Sequence, residues 1–237
     1  MIKNYDDFVS GLLRAGFTVA SGGNDEGIFS LIKSDLEEQE EQSHESPSPI
    51  HWHTGDPDTD PWEWRMRVLT ERNDIAYSKF FFRKSGYITK EWYPYFLSAR
   101  RGGKSFDEMY ADGLYSNYAK RLYDLLRENG SLPLHEIKSL GEFSQKEKAK
   151  FDKALNDLQM GLFITMSGMQ QKVSRIGIEY GWFSTVFCTV ERFWDKSVIE
   201  KSENINAEDA AEIITERIFK LNPAADKSKI AKFIRGK

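Results

Sequence analysis

The chain has 237 residues, with 33 Lys and Arg against 37 Asp and Glu and a formal net charge of -4 at neutral pH. This balance excludes a surface covered in positive charge, so a nucleic-acid partner would have to meet a local basic face. The single cysteine, Cys188, excludes an internal disulfide and favours a reducing compartment. No signal peptide is visible and no apolar run approaches membrane-spanning length, so we expect a cytoplasmic protein without a membrane partner.

The first predicted elements are a short amphipathic helix over residues 4–15, a glycine-containing loop, and a strand over residues 27–32. Residues 35–49 then form the part of lowest complexity, an acidic run followed by Ser-Pro-Ser-Pro. This composition predicts a solvated surface loop. A second interpretation is open, because an acidic loop can also compete with DNA for a basic face.

His51 and His53 are a candidate metal site. They flank a tryptophan, and three aspartates follow within residues 56–60. If residues 50–54 form a strand, both imidazoles lie on one face and can share a divalent metal. The aspartates are also typical of turn and N-cap chemistry, since the last of them precedes a proline at the first position of the next predicted helix. No metal or other cofactor is therefore assigned.

A helix rich in tryptophan is predicted over residues 61–73, and a strand over residues 75–82. Gly86 is expected to turn the chain. Thr89 is then expected to cap a further helix, which ends in a cluster of basic residues near position 100. Two tryptophans so close together can supply much of a small core's buried area, so we expect much of the helix over 61–73 to be buried.

Three helices followed by a β-hairpin are predicted between residues 105 and 194, which is the element order of a winged helix-turn-helix. The helices cover 117–129 and 133–140, and the third opens at Ser144 with Glu147 completing a capping box. We therefore predict an α+β, helix-rich fold with a winged helix-turn-helix module and an aromatic-rich N-terminal part. The predicted domains are 1–104, 105–194 and a helical tail over 195–237.

Several short motifs follow one another in this central segment. They are Leu132-Pro133-Leu134-His135-Glu136-Ile137, Ala154-Leu155-Asn156-Asp157-Leu158, Gly161-Leu162-Phe163-Ile164 and Tyr180-Gly181-Trp182. In this order they resemble the winged-helix module of AlkZ/YcaQ-type proteins, a family that includes DNA glycosylases acting on alkylated bases and crosslinks. The resemblance implies an AlkZ-related protein with a DNA-binding module and a connection to DNA repair.

One departure from the family concerns catalysis. Its glycosylases carry a glutamine, apolar residue, glutamine motif in the N-terminal half, and no two glutamines of this chain have that spacing. The catalytic residues therefore cannot be carried over. An enzyme of this kind would need another group to activate water beside a flipped base, and Glu63 and Asp74 are weak candidates for it.

The third predicted helix and the hairpin carry the candidate DNA contacts. In a winged helix the third helix enters the major groove, and the hairpin touches phosphates or the minor groove. The candidate residues are Lys146, Lys150, Lys153, Gln171, Lys172 and Arg175, supported by Arg100 and Arg101. A solvated helix face explains the lysines as well, and the two arginines are also typical of a helix C-terminus, where they meet the negative end of the dipole.

Three functions are compatible with these patterns. The first is duplex DNA binding without catalysis by this chain. The second is a divergent DNA glycosylase, in which the segment 62–74 lines a base pocket. In the third, the winged helix is a protein-interaction or ligand-sensing module whose acidic surroundings repel DNA.

Overall fold

The computed structural model of the protein describes residues 2–20, 27–32, 50–174 and 176–236. These residues form eleven α-helices and six β-strands, which confirms the mixed, helix-rich composition expected from the sequence. Within these ranges, no helix has the length and apolar character needed to cross a membrane. The acidic segment 35–49 lies outside the described residues.

The elements fall into three consecutive groups. The N-terminal group comprises α1 (Tyr5–Ala15), β1 (Phe17–Val19), α2 (Pro61–Glu71), β2 (Ile75–Phe81), β3 (Lys84–Thr89) and α3 (Tyr93–Arg101). The central group comprises α4 (Phe106–Ala111), α5 (Asn117–Asn129), β4 (Leu132–Pro133), α6 (Leu134–Leu140), a 3-10 turn (Gln145–Glu147), α7 (Lys148–Met160), β5 (Ile164–Val173) and β6 (Glu179–Thr189). The C-terminal group comprises α8 (Val190–Phe193), α9 (Lys196–Glu203), α10 (Ala207–Leu221) and α11 (Lys227–Arg235).

The N-terminal strands form an antiparallel sheet in the order β1-β3-β2. The turn between β2 and β3 lies at Phe82 and Arg83, which both have positive φ angles. The prediction of a turn at Gly86 was therefore wrong, since Gly86 pairs with both neighbouring strands. A Cβ atom at Gly86 would meet the Phe81 ring at 2.5 Å, so this glycine permits close packing within the sheet.

Three other local predictions differ from the structure. Residues 27–32 form turns and irregular backbone, and residues 50–54 form a turn, although both were predicted or considered as strands. The helix expected to follow Thr89 begins at Tyr93, because Thr89 still pairs with Ile75 as the last residue of β3. The expected strand over 27–32 rested on a short apolar run, which does not by itself specify a strand.

The central strands form a second antiparallel sheet in the order β4-β6-β5. The short β4 pairs with β6, while β5 and β6 form a long hairpin after the helices α5, α6 and α7. The three predicted helices and the hairpin that follows them are thus observed. These elements surround their own cluster of buried side chains, including Leu122, Leu126, Phe151 and Phe163.

The C-terminal helices complete the core of the N-terminal sheet. Phe233 of α11 stacks on Phe81 of β2, with ring centroids 4.0 Å apart and an interplanar angle of 10°. Ile214 and Ile218 of α10 belong to the same buried cluster. The helical tail therefore packs on the N-terminal part, whereas the division at residues 104 and 194 stays a prediction.

Candidate nucleic-acid interface

The apolar face of α7 is buried and its opposite face carries lysines. Phe151, Ala154 and Leu158 lie in the central core, because helical spacing places them on one side. Ser144 and Glu147 form a capping box at the preceding 3-10 turn, as the sequence predicted. The exposed lysines of this region are Lys146, Lys148, Lys150 and Lys153. The fold thus presents a row of ammonium groups near the start of α7.

Glu147, one of two acidic residues interleaved with these lysines, is held by neighbouring hydroxyl groups. The hydroxyls of Tyr118 and Ser144 donate hydrogen bonds to its carboxylate and lower its pKa to about 2. The Tyr118 ring also lies under the Lys150 ammonium, 5.4 Å from its centre. Glu147 is therefore bonded to two hydroxyl groups and, in the described ranges, is in no ion pair with a lysine.

The predicted lysines differ in their partners. Lys153 pairs with Asp157 one turn along α7, so part of its charge is neutralised within the helix. In the ranges that the structure describes, Lys146 and Lys150 are in no ion pair. Lys148, which was not among the predicted contacts, is also exposed and in no ion pair in these ranges, so three lysines here are open to an external anion.

Of the three candidate residues on the hairpin, Gln171 and Lys172 lie on its outer half. Lys172 is exposed on β5, and the Gln171 side chain donates to the backbone oxygen of Gly181 on β6 at 3.1 Å. Gly181 has a φ angle of +76°, a conformation that glycine adopts readily, beside an irregularity in the strand register. Arg175, the third candidate, lies outside the described residues.

The hairpin also exposes a series of large apolar side chains. Trp182 is 94 % exposed, and Tyr180 and Phe183 are more than half exposed. Met169, Val173, Ile176 and Ile178 are exposed as well. The sequence did not reveal this surface, because an apolar run near a turn is equally typical of a buried return strand. Only the pairing of β5 with β6 beyond the core places these residues in solvent.

Arg100 and Arg101 are engaged within the molecule. The Arg100 guanidinium donates to three backbone oxygens at 2.6 to 3.0 Å, those of Met160, Phe233 and Ile234. Arg101 pairs with Glu191 at 2.6 Å, and its side chain is only 9 % exposed. Both groups therefore hold helices together, and we leave them out of the proposed interface.

The two weak catalytic candidates lie near α2. Glu63 is in the first turn of that helix. Asp74 accepts two hydrogen bonds from the Arg72 guanidinium, at 2.9 and 2.6 Å. A carboxylate held in this bidentate pair is occupied by its own neighbour. The geometry gives no reason to select either acid as a general base.

Turn and N-cap chemistry accounts for the segment around the two histidines. The buried Asp60 carboxylate caps α2 and accepts backbone N–H groups from His53, Gly55 and Trp62. Since residues 50–54 form a turn, the shared strand face proposed for His51 and His53 does not exist. In the described part of the chain, His, Cys, Asp and Glu residues form no group of three able to hold a metal.

A family model described as AlkZ related matches residues 2–235, nearly the whole chain. No curated protein and no solved structure matches.

Proposed function

We propose that residues 105–194 form a winged helix-turn-helix module that binds duplex DNA. The premise is that this chain belongs to the AlkZ-related family. The order of elements supports the proposal. Three helices, α5 to α7, precede the β5–β6 hairpin. The short strand β4 lies between α5 and α6 in the chain and pairs with β6 in the sheet. A winged helix uses this arrangement to present its third helix to the major groove.

The free lysines near the start of α7 are the observation that carries the proposal. The first residues of a recognition helix are those that reach the bases and phosphates of the groove. Here Lys146 and Lys150 occupy this end, are exposed, and have no ion-pair partner in the described ranges. Lys172 supplies a further ammonium group from the hairpin. Such a local basic face is compatible with a chain whose net charge is -4.

The proposed function is binding without catalysis by this chain. The glutamine motif of the family's glycosylases is missing from the sequence. Asp74 is tied to Arg72, so the second hypothesis, a divergent glycosylase, lacks a poised base at that position. DNA repair remains the context that the family membership suggests.

A protein-interaction module is the second candidate function. The exposed apolar residues of the hairpin favour it, because contiguous exposed apolar surface often marks a protein contact. A protein contact of this kind would depend little on salt. DNA binding would weaken steeply as the salt concentration rises, since phosphate contacts release bound counterions.

Fluorescence anisotropy with a labelled duplex, measured across a range of salt concentrations, tests the proposal. The double variant Lys150→Glu/Lys172→Glu is compared with Lys220→Glu/Lys232→Glu, which makes the same change in net charge on the C-terminal helices. We expect the first variant to lose at least about tenfold in affinity and the second to bind like the wild type. No binding by the wild type at low salt, or equal losses in both variants, would overturn the proposal.

A further inference from the structure

The exposed apolar side chains of the protein are concentrated on one hairpin. In the described residues, twelve large apolar side chains are exposed, and seven of them lie between positions 169 and 183. The aromatic segment, defined as Tyr180, Trp182 and Phe183, lies on the β6 strand of this hairpin. In the part of the chain that the structure describes, none of these three rings packs against another ring or a cation. Trp182 is almost fully open to a partner, and about half of Tyr180 and Phe183 is.

The base of the hairpin is fixed to the body of the protein. Ile164 at the start of β5 and Phe187 near the end of β6 are both buried in the central core. The side chain of Met166 packs against this core and also against a second buried cluster, which contains Trp64 and Val68 of α2. Both α2 and β2 contact β5. A partner that binds the aromatic segment therefore binds a hairpin whose base is already ordered. Less conformational entropy is lost on binding such a preorganised surface.

The outer half of the hairpin is also ordered by its own hydrogen bonds. The backbone N–H of Ser174 donates to Ile178 at 2.8 Å, and the N–H of Ile178 donates to the Ser174 hydroxyl at 3.0 Å. Gln171 binds the backbone of Gly181, directly before Trp182. Residues 181–183 lie opposite the single residue Gln171 in the strand register, so Trp182 and Phe183 project from a bulge in this hydrogen-bonded hairpin.

Polar groups flank the aromatic segment on the opposite strand. Lys172 pairs with Tyr180 in the strand register, and Gln170 pairs with Ser184. An ammonium group beside exposed rings is the combination that binds nucleic acid, since the cation meets phosphate while the rings meet bases. Glu179, next to Tyr180, is the acidic residue of this strand, and Lys146 and Lys150 lie earlier in the same sheet-and-helix module.

A fully paired duplex hides the faces of its bases in the stack. At an interrupted position an aromatic side chain reaches them without first unstacking a base step, which elsewhere costs a few kcal/mol, and stacking of a base on an aromatic ring contributes about 1–3 kcal/mol. We propose that Trp182 and Phe183 stack on bases at an interrupted position of duplex DNA, such as a bulge, and so direct the protein to distorted duplexes. This inference rests on the proposed DNA binding.

Two labelled duplexes that differ only in a two-nucleotide bulge provide the test. Wild type, Trp182→Ala/Phe183→Ala and the control Leu114→Ala/Leu140→Ala, which removes two exposed leucines elsewhere, are titrated with each duplex. We expect the wild type and the control to prefer the bulged duplex by about tenfold or more. The aromatic double variant should lose this preference but retain the affinity and salt dependence of the wild type on the paired duplex. A 2-aminopurine base beside the bulge should change its fluorescence only with proteins that keep both rings.

The outcomes separate the inference from the proposed function. Equal wild-type affinity for the two duplexes would overturn the inference while DNA binding stands. The inference would also fail if the aromatic variant weakened both duplexes alike, or if it altered self-association and left DNA binding unchanged. Absence of binding to either duplex at low salt would remove both proposals. Matching urea midpoints for the three proteins would show that the substitutions leave folding intact.

Discussion

The side-chain oxygen of Gln159 on α7 accepts a hydrogen bond from the Ser78 hydroxyl of β2 at 2.7 Å, across 81 positions of sequence. The same oxygen accepts the backbone N–H of Lys79 at 3.2 Å, and the Gln159 amide donates to the Leu155 oxygen. Both Gln159 and Ser78 are buried. The lysine-bearing helix is therefore joined to the N-terminal sheet by a satisfied polar contact in the core.

Replacing Gln159 by leucine should destabilise the protein by about 2–4 kcal/mol, because it leaves the Ser78 hydroxyl and the Lys79 N–H buried without their acceptor. Urea denaturation followed by circular dichroism measures this loss. Gln145→Leu, at an exposed position before α7, is the matched control and should change stability by less than about 0.5 kcal/mol. Equal stabilities of the two variants would show that the contact does not join the two parts.

Asp60 should contribute stability that depends on pH. Burial alone would raise its pKa, but the N–H groups of Gly55, Trp62 and His53 outweigh burial and lower the pKa below the usual 3.8. A lowered pKa in the folded state means that the contribution is present above pH 4 and disappears as the pH falls through the folded-state value.

Asp60→Ala should therefore lower the free energy of unfolding by about 1–3 kcal/mol at neutral pH. Its difference from the wild type should shrink below pH 4. Chemical denaturation between pH 2.5 and 7 provides the measurement, and Asp58→Ala, at an exposed position in the same turn, serves as the control. A difference that stays constant across this pH range would contradict the assigned role.

The sequence predicted the local elements of the central segment better than the surfaces they form. The capping box at Ser144 and the apolar period of α7 depend on neighbouring residues, so they can be read directly from spacing. The roles of Arg100 and Trp182 depend on distant chain segments. Arg100 lies against α11, and Trp182 is exposed because its strand extends beyond the core. Neither arrangement leaves a local signal.

The pKa of Glu147 should depend on the Tyr118 hydroxyl. This hydroxyl is the largest cause of a pKa near 2, followed by the bonds from Ser144. Tyr118→Phe should raise the Glu147 pKa toward 4.5, because one donor to the charged form is lost. Carboxyl NMR titration gives the value directly. Tyr110→Phe is the control, and an unchanged Glu147 pKa in Tyr118→Phe would rule out the contact.

Arg100→Lys should behave as a disruptive substitution despite its retained charge. A planar guanidinium reaches three carbonyl oxygens from α7 and α11 at once, whereas an ammonium on a different stem cannot match this geometry. We expect a loss of about 2–4 kcal/mol and faster hydrogen exchange in α11. Arg14→Lys, at an exposed position on α1, is the control. Wild-type exchange rates in α11 would refute the expectation.

The stacking of Phe233 on Phe81 has a consequence for the order in which the protein is made. The N-terminal sheet emerges from the ribosome about 150 residues before its partner ring, which corresponds to roughly 10–30 seconds of synthesis. During this interval the aromatic face of β2 has no cover from α11. The Phe81 ring therefore stays without its stacking partner until α11 has been synthesised.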